Sequence, residues 1–233
     1  MNTNNEKDQL VHVSAGQGVT LEGNLTIPNK KPKGIVLFAH GSGSSRHSPR
    51  NKYVAQVLQD AGIATLLIDL LSEEEEEVDL HTRHLRFDIG LLAQRLIGAT
   101  DWMKEEQQQQ NSETKNNNLN IGYFGASTGA AAALVAAAER QKIVKAVVSR
   151  GGRPDLAGSA ALSRVQAPTL LIVGGNDEPV IEMNKEAFEK LTNVEDNKKK
   201  IIIIPGATHL FEEPGKLEEV ARLAKDWFEI HLP

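Results

Sequence analysis

The chain contains no cysteine, and this absence excludes several kinds of site. Disulfide bonds, thiolate metal sites and a cysteine nucleophile are all excluded. Long apolar runs are also missing, because no stretch approaches the ~18 residues that a membrane span requires. The first ten residues, MNTNNEKDQL, are polar and lack the apolar segment of a signal peptide. We therefore expect a cytoplasmic protein that does not bind a membrane.

Positive charge is in deficit as well, with a formal net charge of -5 over 233 residues. A mildly acidic chain lacks the broad basic surface that binds nucleic acid, so no nucleic-acid partner is expected. Hydrophobic residues make up 40% of the chain, which is enough to form one sizeable core. A chain of this length and composition predicts a single domain over residues 1–233.

Short, nearly continuous apolar runs predict strands that are buried on both faces, as in a parallel sheet. These runs are 34–40, 63–70, 119–125, 143–149, 168–175 and 200–206. Helical patterns lie between them at 51–61, 85–105, 128–140, 181–192 and 215–230. This alternation predicts a doubly wound α/β fold with helices on both faces of the sheet. Upstream, LVHVSAG and GVTLEGNLTIP alternate apolar and polar residues and predict an antiparallel hairpin at one edge.

Two polar stretches interrupt this pattern. EEQQQQNSETKNNN, residues 105–118, predicts a helix end that runs into a solvated loop. SEEEEEVDLHTRH, residues 72–84, contains five adjacent glutamates that repel one another. The second stretch is expected to be a solvated loop or a helix start, and its alternative role is to pair with nearby arginines.

The motif GASTG, residues 125–129, stands where a predicted strand meets an alanine-rich helix. A serine hydroxyl becomes a good nucleophile when the backbone presents it to a base. In a sharp turn, side chains two positions before and after Ser127 would clash, which explains Gly125 and Gly129. The positive end of the following helix would also face a developing oxyanion. The alternative is that Ser127 is only a small residue in a tight turn.

Ligands of open α/β sheets bind beyond the carboxyl ends of the strands, so the residues after each run are candidates. Ser127, Asp177 and His209 all follow such runs, in the chain order described for α/β-hydrolases. His209 would accept the proton of Ser127, and Asp177 would hold the imidazole in its tautomer. The competing acids are Glu178 and Asp155, and the competing histidines are His40, His47, His81 and His84.

The loop HGSGSS, residues 40–45, follows the first apolar run and is expected to help form an oxyanion hole. Its donors would be the backbone N–H of Thr128 and that of Ser42, with Gly43 as the alternative. His40 is expected to shape this loop rather than take part in the chemistry. A nucleotide-binding role is rejected because GxGxxG would need glycine at Arg46 and GxxxxGK[ST] has no match.

Arginines cluster in the loops expected on the catalytic side of this acidic chain. They are Arg46, Arg50, Arg83, Arg86, Arg150 and Arg153, of which Arg46, Arg150 and Arg153 are the candidate substrate-binding residues. Guanidinium groups in such a position raise the hypothesis of a substrate that carries a carboxylate or phosphate. The alternative, which we favour, is that these arginines pair with Glu73 to Glu77, Asp79 and Asp155 and hold the loops.

Four segments together resemble the α/β-hydrolase superfamily and, within it, the dienelactone-hydrolase-like group. They are FAHGSGSS, IGYFGASTGAAAAL, LLIVGGNDEPV and IPGATHLF. The resemblance implies an eight-stranded, mostly parallel sheet with an antiparallel second strand, in a three-layer sandwich, and ester-type chemistry without a cofactor. Dienelactone hydrolases proper use a cysteine nucleophile, which this chain lacks. The short connection between the helix from 128 and the strand at 168 leaves no room for a large cap domain.

These features predict a serine hydrolase that cleaves carboxylic esters or thioesters through an acyl-enzyme. Its partner would be a small-molecule ester, and no cofactor is expected. No metal is expected either, because no HExxH motif is present and His81 and His84 lack accompanying carboxylates. The alternatives are a peptidase and a non-catalytic small-molecule-binding module on the same fold. The sequence carries no signal for an oligomeric state.

Overall fold

One sheet of eight strands crosses the computed structural model, which describes residues 7–16, 18–29, 31–110 and 119–233. The spatial order is β1-β2-β4-β3-β5-β6-β7-β8; β2 runs antiparallel to both neighbours, and all pairs from β4 to β8 are parallel. This is the expected α/β-hydrolase fold, including the antiparallel second strand and the N-terminal hairpin at one edge. The strands are β1 (Lys7–Ser14), β2 (Thr20–Ile27), β3 (Ile35–Ala39), β4 (Ala64–Ile68), β5 (Ile121–Ala126), β6 (Val144–Arg150), β7 (Thr169–Gly174) and β8 (Lys199–Ile204).

Helices cover both faces of this sheet and complete a three-layer sandwich. They are α1 (Pro49–Asp60), α2 (Glu73–Thr82), α3 (Ile89–Gln110), α4 (Thr128–Glu139), α5 (Ser159–Leu162), α6 (Glu178–Lys190) and α7 (Lys216–His231). One core contains residues of α1 and α7, and the other contains residues of α3 and α4. Among the described helices, none is long and apolar enough to span a bilayer. The described connections are short, and none of them forms a large cap.

The central strands are buried along their whole length, as the continuous apolar runs predict. Every residue of β3, β4, β5 and β7 is buried. Successive side chains of a strand point to opposite faces, so β3 contributes to both cores. Val36 and Phe38 pack with α1 and α7, whereas Leu37 packs on the other side with α3 and α4. Because both faces are covered, each position of these strands favours an apolar side chain.

The glutamate-rich stretch forms helix α2, so of the two expectations for residues 72–84, a loop or a helix start, the helix start is the one observed. Ser72 begins the helix with a capping box: its hydroxyl accepts from the Glu75 N–H at 3.2 Å, and the Glu75 carboxylate accepts from the Ser72 N–H at 2.9 Å. Four glutamates lie in the first turn, where the helix dipole stabilises negative charge. These local contacts outweigh the mutual repulsion of the carboxylates.

The polar stretch at 105–118 begins as a helix end, as expected, and the helix extends beyond the pattern at 85–105. Helix α3 continues through Gln110, so residues 105–110 are helical and not part of a loop. Glutamate and glutamine have high helix propensities, and the six such residues at 105–110 continue the helix at its C-terminal end. The rest of the predicted loop, residues 111–118, lies outside the described part of the chain.

A buried hydroxyl pair ties α3 to the centre of the sheet. The Thr100 hydroxyl donates to the Leu96 carbonyl at 2.8 Å and accepts from the Tyr123 hydroxyl at 2.6 Å. Burial raises the pKa of the Tyr123 phenol above its usual range, so the group stays neutral and can donate.

Tyr123→Phe is expected to lower the free energy of unfolding by about 1–2 kcal/mol, because the buried Thr100 oxygen loses its donor. Urea denaturation followed by circular dichroism would measure the change. Tyr53→Phe is the control, since Tyr53 is 40% exposed and water can replace any lost contact. A Tyr123→Phe variant as stable as the wild type would contradict a structural role for this hydrogen bond.

Candidate active site

Ser127 occupies a strained turn between β5 and α4. Its backbone angles are φ 51° and ψ -122°, in a region that non-glycine residues rarely adopt. The turn is fixed by its neighbours: the Ser127 N–H donates to the Arg150 carbonyl at 3.3 Å, and its carbonyl accepts from the Arg153 N–H at 3.0 Å. The end of β6 and the segment after it therefore hold the serine at the carboxyl edge of the sheet.

Three glycines make this turn possible, because a side chain on any of them would collide with the backbone or with the serine. A Cβ at Gly125 would lie 2.4 Å from the Ala130 Cα, and one at Gly129 would lie 2.2 Å from the Ala39 carbonyl oxygen. A Cβ at Gly41 would lie 2.9 Å from the Ser127 Cβ. The steric reason inferred for Gly125 and Gly129 is thus confirmed.

Asp177 and His209 come together from the ends of two adjacent strands. Asp177 stands between β7 and α6, and His209 lies in the loop after β8. The Asp177 Oδ2 is 2.7 Å from the His209 Nδ1, so the carboxylate can hold the imidazole with its Nε2 free to act as a base. Of the competing acids, Asp155 is bound to Arg153, and Glu178 begins α6.

The imidazole lies close to Gly151, the residue that follows β6. A Cβ at Gly151 would be 3.6 Å from the His209 Cε1, and Gly151 directly follows Arg150, whose carbonyl accepts from the Ser127 N–H. Within the described residues, Ser127 Oγ forms no hydrogen bond in this arrangement. Catalytic hydrogen bonds of free enzymes are often long and tighten only when substrate binds.

The loop after β3 is joined to the start of α4 by a contact that the sequence did not indicate. The Ser42 N–H, an expected oxyanion donor, donates to the Thr128 side-chain oxygen at 2.9 Å. By contrast, the N–H groups of Thr128 and Gly43 have no hydrogen-bond partner in the described part of the chain. The geometry leaves Thr128 and Gly43 free to donate to an oxyanion, and Ser42 would have to share its N–H.

His40 shapes this loop, in agreement with the role expected from the sequence. Its Nε2 accepts from the Leu70 N–H at 3.2 Å, which requires the proton on Nδ1. Nδ1 can then donate to the Gly41 carbonyl at 3.0 Å. The imidazole thereby ties the ends of β3 and β4 together and lies apart from the Asp177–His209 pair.

Glu213 is a further supporting residue that the sequence analysis missed. Its carboxylate oxygens each accept from the Thr208 N–H at 3.1 Å, directly before His209. These hydrogen bonds hold the pKa of the Glu213 carboxyl below its usual range. The sequence shows an acidic residue four positions after His209. Its hydrogen bonds to the Thr208 N–H depend on how the loop folds, so the sequence does not reveal them.

Two of the candidate substrate-binding arginines are paired with carboxylates. The Arg46 guanidinium contacts Asp69 and lies 2.5 Å from Glu22. Arg153 forms two hydrogen bonds with Asp155, at 2.9 Å and 2.8 Å, and these raise the pKa of Arg153. Their geometry matches the alternative in which arginines hold the loops.

Arg150 differs from the others because it is buried without a counter-charge. Arg150 is the last residue of β6 and is 7% exposed. The Nη2 reaches Asn51 Oδ1 at 3.4 Å, and the buried Nε and Nη1 have no partner among the described residues. Burial, together with the charge of Arg50, lowers the pKa of Arg150 to about 10.

Comparisons with known proteins show the family to which the chain belongs. The model of the dienelactone hydrolase family matches residues 21–231. The chain belongs to this family. A crystal structure of the family's dienelactone hydrolase from Anabaena variabilis is 63% identical, covers 98% of this chain and 99% of its own, and has a TM-score of 0.89. Membership of this family favours hydrolase activity.

A curated relative from Mycobacterium tuberculosis carries a different name. It is called a putative phosphoribosyl transferase and is 57% identical over 226 residues. That match covers 97% of this chain but 47% of the relative, so the chain spans about half the length of the curated proteins it matches.

More distant structures share the fold alone. Est1E from Butyrivibrio proteoclasticus is 17% identical with a TM-score of 0.73, and covers 95% of this chain and 98% of its own. A dienelactone hydrolase-like promiscuous phosphotriesterase from metagenomic libraries is 16% identical with the same TM-score, and covers 98% of this chain and 99% of its own.

Proposed function

We propose that the chain is a serine hydrolase that cleaves carboxylic esters or thioesters through an acyl-enzyme. The observation that carries this proposal is the arrangement at the carboxyl edge of the sheet. A serine held at positive φ stands at the start of a helix, and at the same edge of the sheet an aspartate orients a histidine. This combination of nucleophile, base and orienting acid is the general requirement for covalent acyl transfer.

In the proposed reaction, Ser127 Oγ attacks the acyl carbon while His209 Nε2 takes the hydroxyl proton. The tetrahedral oxyanion accepts hydrogen bonds from the Thr128 N–H and from the loop after β3. His209 then gives its proton to the leaving alcohol or thiol, and the acyl group remains on Ser127. Water, deprotonated by His209, attacks the acyl-enzyme and releases the acid. Asp177 stabilises the imidazolium in both halves of the cycle.

The name of the mycobacterial relative does not change this proposal. This chain corresponds to about half of that protein, so a transferase activity can reside in the part that has no counterpart here. The described surroundings of Ser127 favour acyl chemistry, since α4 begins directly after the serine and the Thr128 N–H has no partner among the described residues and is available to an acyl oxyanion.

Treatment with a fluorophosphonate followed by intact-mass measurement tests the proposal directly. One adduct on the wild type and none on Ser127→Ala would support an activated serine. No adduct on a folded wild type would overturn the proposal of a serine hydrolase and favour the non-catalytic binding module. Parallel assays with a short-chain ester and a peptide amide would separate an esterase from a peptidase.

Asp177→Asn is expected to lower kcat for a short-chain ester by about 10²–10⁴-fold, because an amide no longer stabilises the imidazolium. Steady-state kinetics would measure the loss. Asp155→Asn is the matched control, since it removes an aspartate of the same edge that binds Arg153 instead of the histidine. A larger loss in Asp155→Asn than in Asp177→Asn would mean that the orienting acid is misassigned.

A further inference from the structure

A cavity of about 330 Å³ lies between the N-terminal hairpin and helix α3. Its lining includes Ile35 and Ala64, the first residues of β3 and β4. These residues stand at the amino ends of parallel strands, whereas Ser127 follows the carboxyl end of β5. None of the described residues that line the cavity belongs to the candidate active site. The cavity is therefore separate from the proposed chemistry and lies at the opposite edge of the sheet.

Helix α3 contacts the hairpin closely at one point and borders open space farther along. A Cβ at Gly98 would lie 2.3 Å from the Ala15 carbonyl oxygen, so the two backbones are in direct contact there. Trp102 lies four residues after Gly98 and so shares its face of the helix. Trp102 and Met103 line the cavity together with Leu25 of β2. The face of α3 that meets the hairpin at Gly98 thus forms a cavity wall from Trp102 onward.

Much of this wall is apolar and is only partly covered by the protein itself. Val11, Leu25, Trp102 and Leu119 line the cavity, and each is a partly buried side chain that packs against the core. Ile27, on the same strand as Leu25, also lines it and is 36% exposed. Apolar surface in a concave site favours the binding of an apolar group, because binding removes that surface from water.

Gln107 is a lining residue whose polar atoms are buried and unpaired. It is 8% exposed, and its Oε1 and Nε2 both lack a hydrogen-bond partner among the described residues. Buried amides are normally paired, because an unpaired one loses its hydrogen bonds to water without compensation. A carboxamide carries an accepting oxygen beside a donating NH₂ group. Such a group in the wall of an apolar cavity indicates a ligand that has a donor next to an acceptor.

The charges that line the cavity select against an ionic ligand. The lining contains one lysine and one glutamate, Lys31 and Glu106, so these charges cancel. Lys31 is exposed and Glu106 is partly exposed, so water and salt screen both of them. The buried polar group is the neutral amide of Gln107. A neutral ligand therefore matches the cavity better than a carboxylate or an ammonium group.

We propose that this cavity binds a small, neutral, apolar molecule with a carboxamide or lactam edge, which pairs with the side chain of Gln107. The ligand N–H would donate to Gln107 Oε1, and the ligand carbonyl would accept from Gln107 Nε2. The indole of Trp102 offers an aromatic surface in the same wall for a ring of the ligand. The proposal is independent of the hydrolase activity, since no residue of the candidate triad takes part.

Benzamide and acetophenone, titrated separately into ¹⁵N-labelled protein, test the site. The two probes have nearly the same shape, but a methyl group replaces the NH₂ in acetophenone and removes the donor. The chain has two tryptophans and therefore two indole N–H signals, which Trp102→Phe assigns. We expect benzamide to shift the Trp102 signal but not that of Trp227, which packs in the other core. From the titrations, benzamide should bind about tenfold more tightly than acetophenone.

Gln107→Leu is the test variant, and Gln108→Leu is its matched control. Gln108 is the next residue of the same helix and is exposed. In Gln107→Leu, we expect the affinities for the two probes to differ by less than about twofold, because the amide pairing is lost. Its melting temperature should rise, since no unpaired amide remains buried. Gln108→Leu should keep the preference for benzamide and the melting temperature of the wild type.

Three results would overturn the proposal. A Trp102 signal that stays in place with both probes would show that the cavity does not bind them. Equal affinities of benzamide and acetophenone for the wild type would refute recognition of an amide edge. An undiminished preference for benzamide in Gln107→Leu would mean that Gln107 is not its partner. Each result is obtained without turnover, so the site stands or falls separately from the proposed hydrolase.

Discussion

Ser127→Ala is expected to lower kcat/KM for a short-chain ester by at least about 10⁴-fold while leaving the fold intact. The hydroxyl is the proposed nucleophile, and the neighbouring Thr128 hydroxyl already accepts a hydrogen bond from the Ser42 N–H. Alanine keeps the Cβ, so the backbone at φ 51° experiences the same crowding as with serine. Kinetics with p-nitrophenyl butyrate, together with a thermal melt, would check both parts.

Ser127→Gly provides the control that separates chemistry from conformation. Glycine lacks the Cβ that a positive φ crowds, so this variant is expected to melt no lower than Ser127→Ala and to be equally inactive. An enzyme that loses its nucleophile keeps only a small residual rate. If both variants retained more than about a tenth of the wild-type rate, the nucleophile would lie elsewhere.

Gly129→Ala is expected to lower the free energy of unfolding by about 3 kcal/mol or more, because overpacking here meets only backbone. The new Cβ would lie 2.2 Å from the Ala39 carbonyl oxygen and 2.4 Å from that of His40. β3 cannot yield, since it is hydrogen-bonded to β4 on one side and to β5 on the other. Chemical denaturation would measure the loss, and activity would fall because α4 is pushed away from the loop after β3.

Gly90→Ala is the matched control for this substitution. Gly90 is the second residue of α3, just as Gly129 is the second residue of α4. A Cβ at Gly90 would meet only the Asp88 side chain, at an ordinary 3.4 Å. Alanine is the better helix former, so a gain of up to about 1 kcal/mol is expected. Equal effects of the two substitutions would contradict the close approach of α4 to β3.

The sheet could be predicted from the sequence because its central strands are buried on both faces. Each of the six apolar runs contains an observed strand or nearly all of one, with ends that differ by one or two residues. The turn at Ser127 was also predictable, because a side chain at Gly125 or Gly129 would collide with the backbone around the turn. Local geometry is the part of the structure that short sequence motifs encode directly.

Charge pairing was predicted less well, because it depends on residues that are distant in the chain. Arg46 binds Glu22 on β2 and Asp69 after β4, and only the folded sheet brings them together. The helix at 73–82 was left open against a loop for another reason. Its Ser72 and Glu75 form a readable capping box, but the repulsion of five glutamates argued for a loop.

The position of β8 has a consequence for how the protein loses activity. His209 follows this terminal strand, which has β7 as its one neighbour, whereas the strand before Ser127 is paired on both sides. Edge elements open at lower free-energy cost than the centre of a sheet. A local opening at β8 would move the histidine away while most of the core stays packed. Inactivation can therefore precede global unfolding. Activity then reports whether β8 is paired with β7 more than whether the whole core is folded.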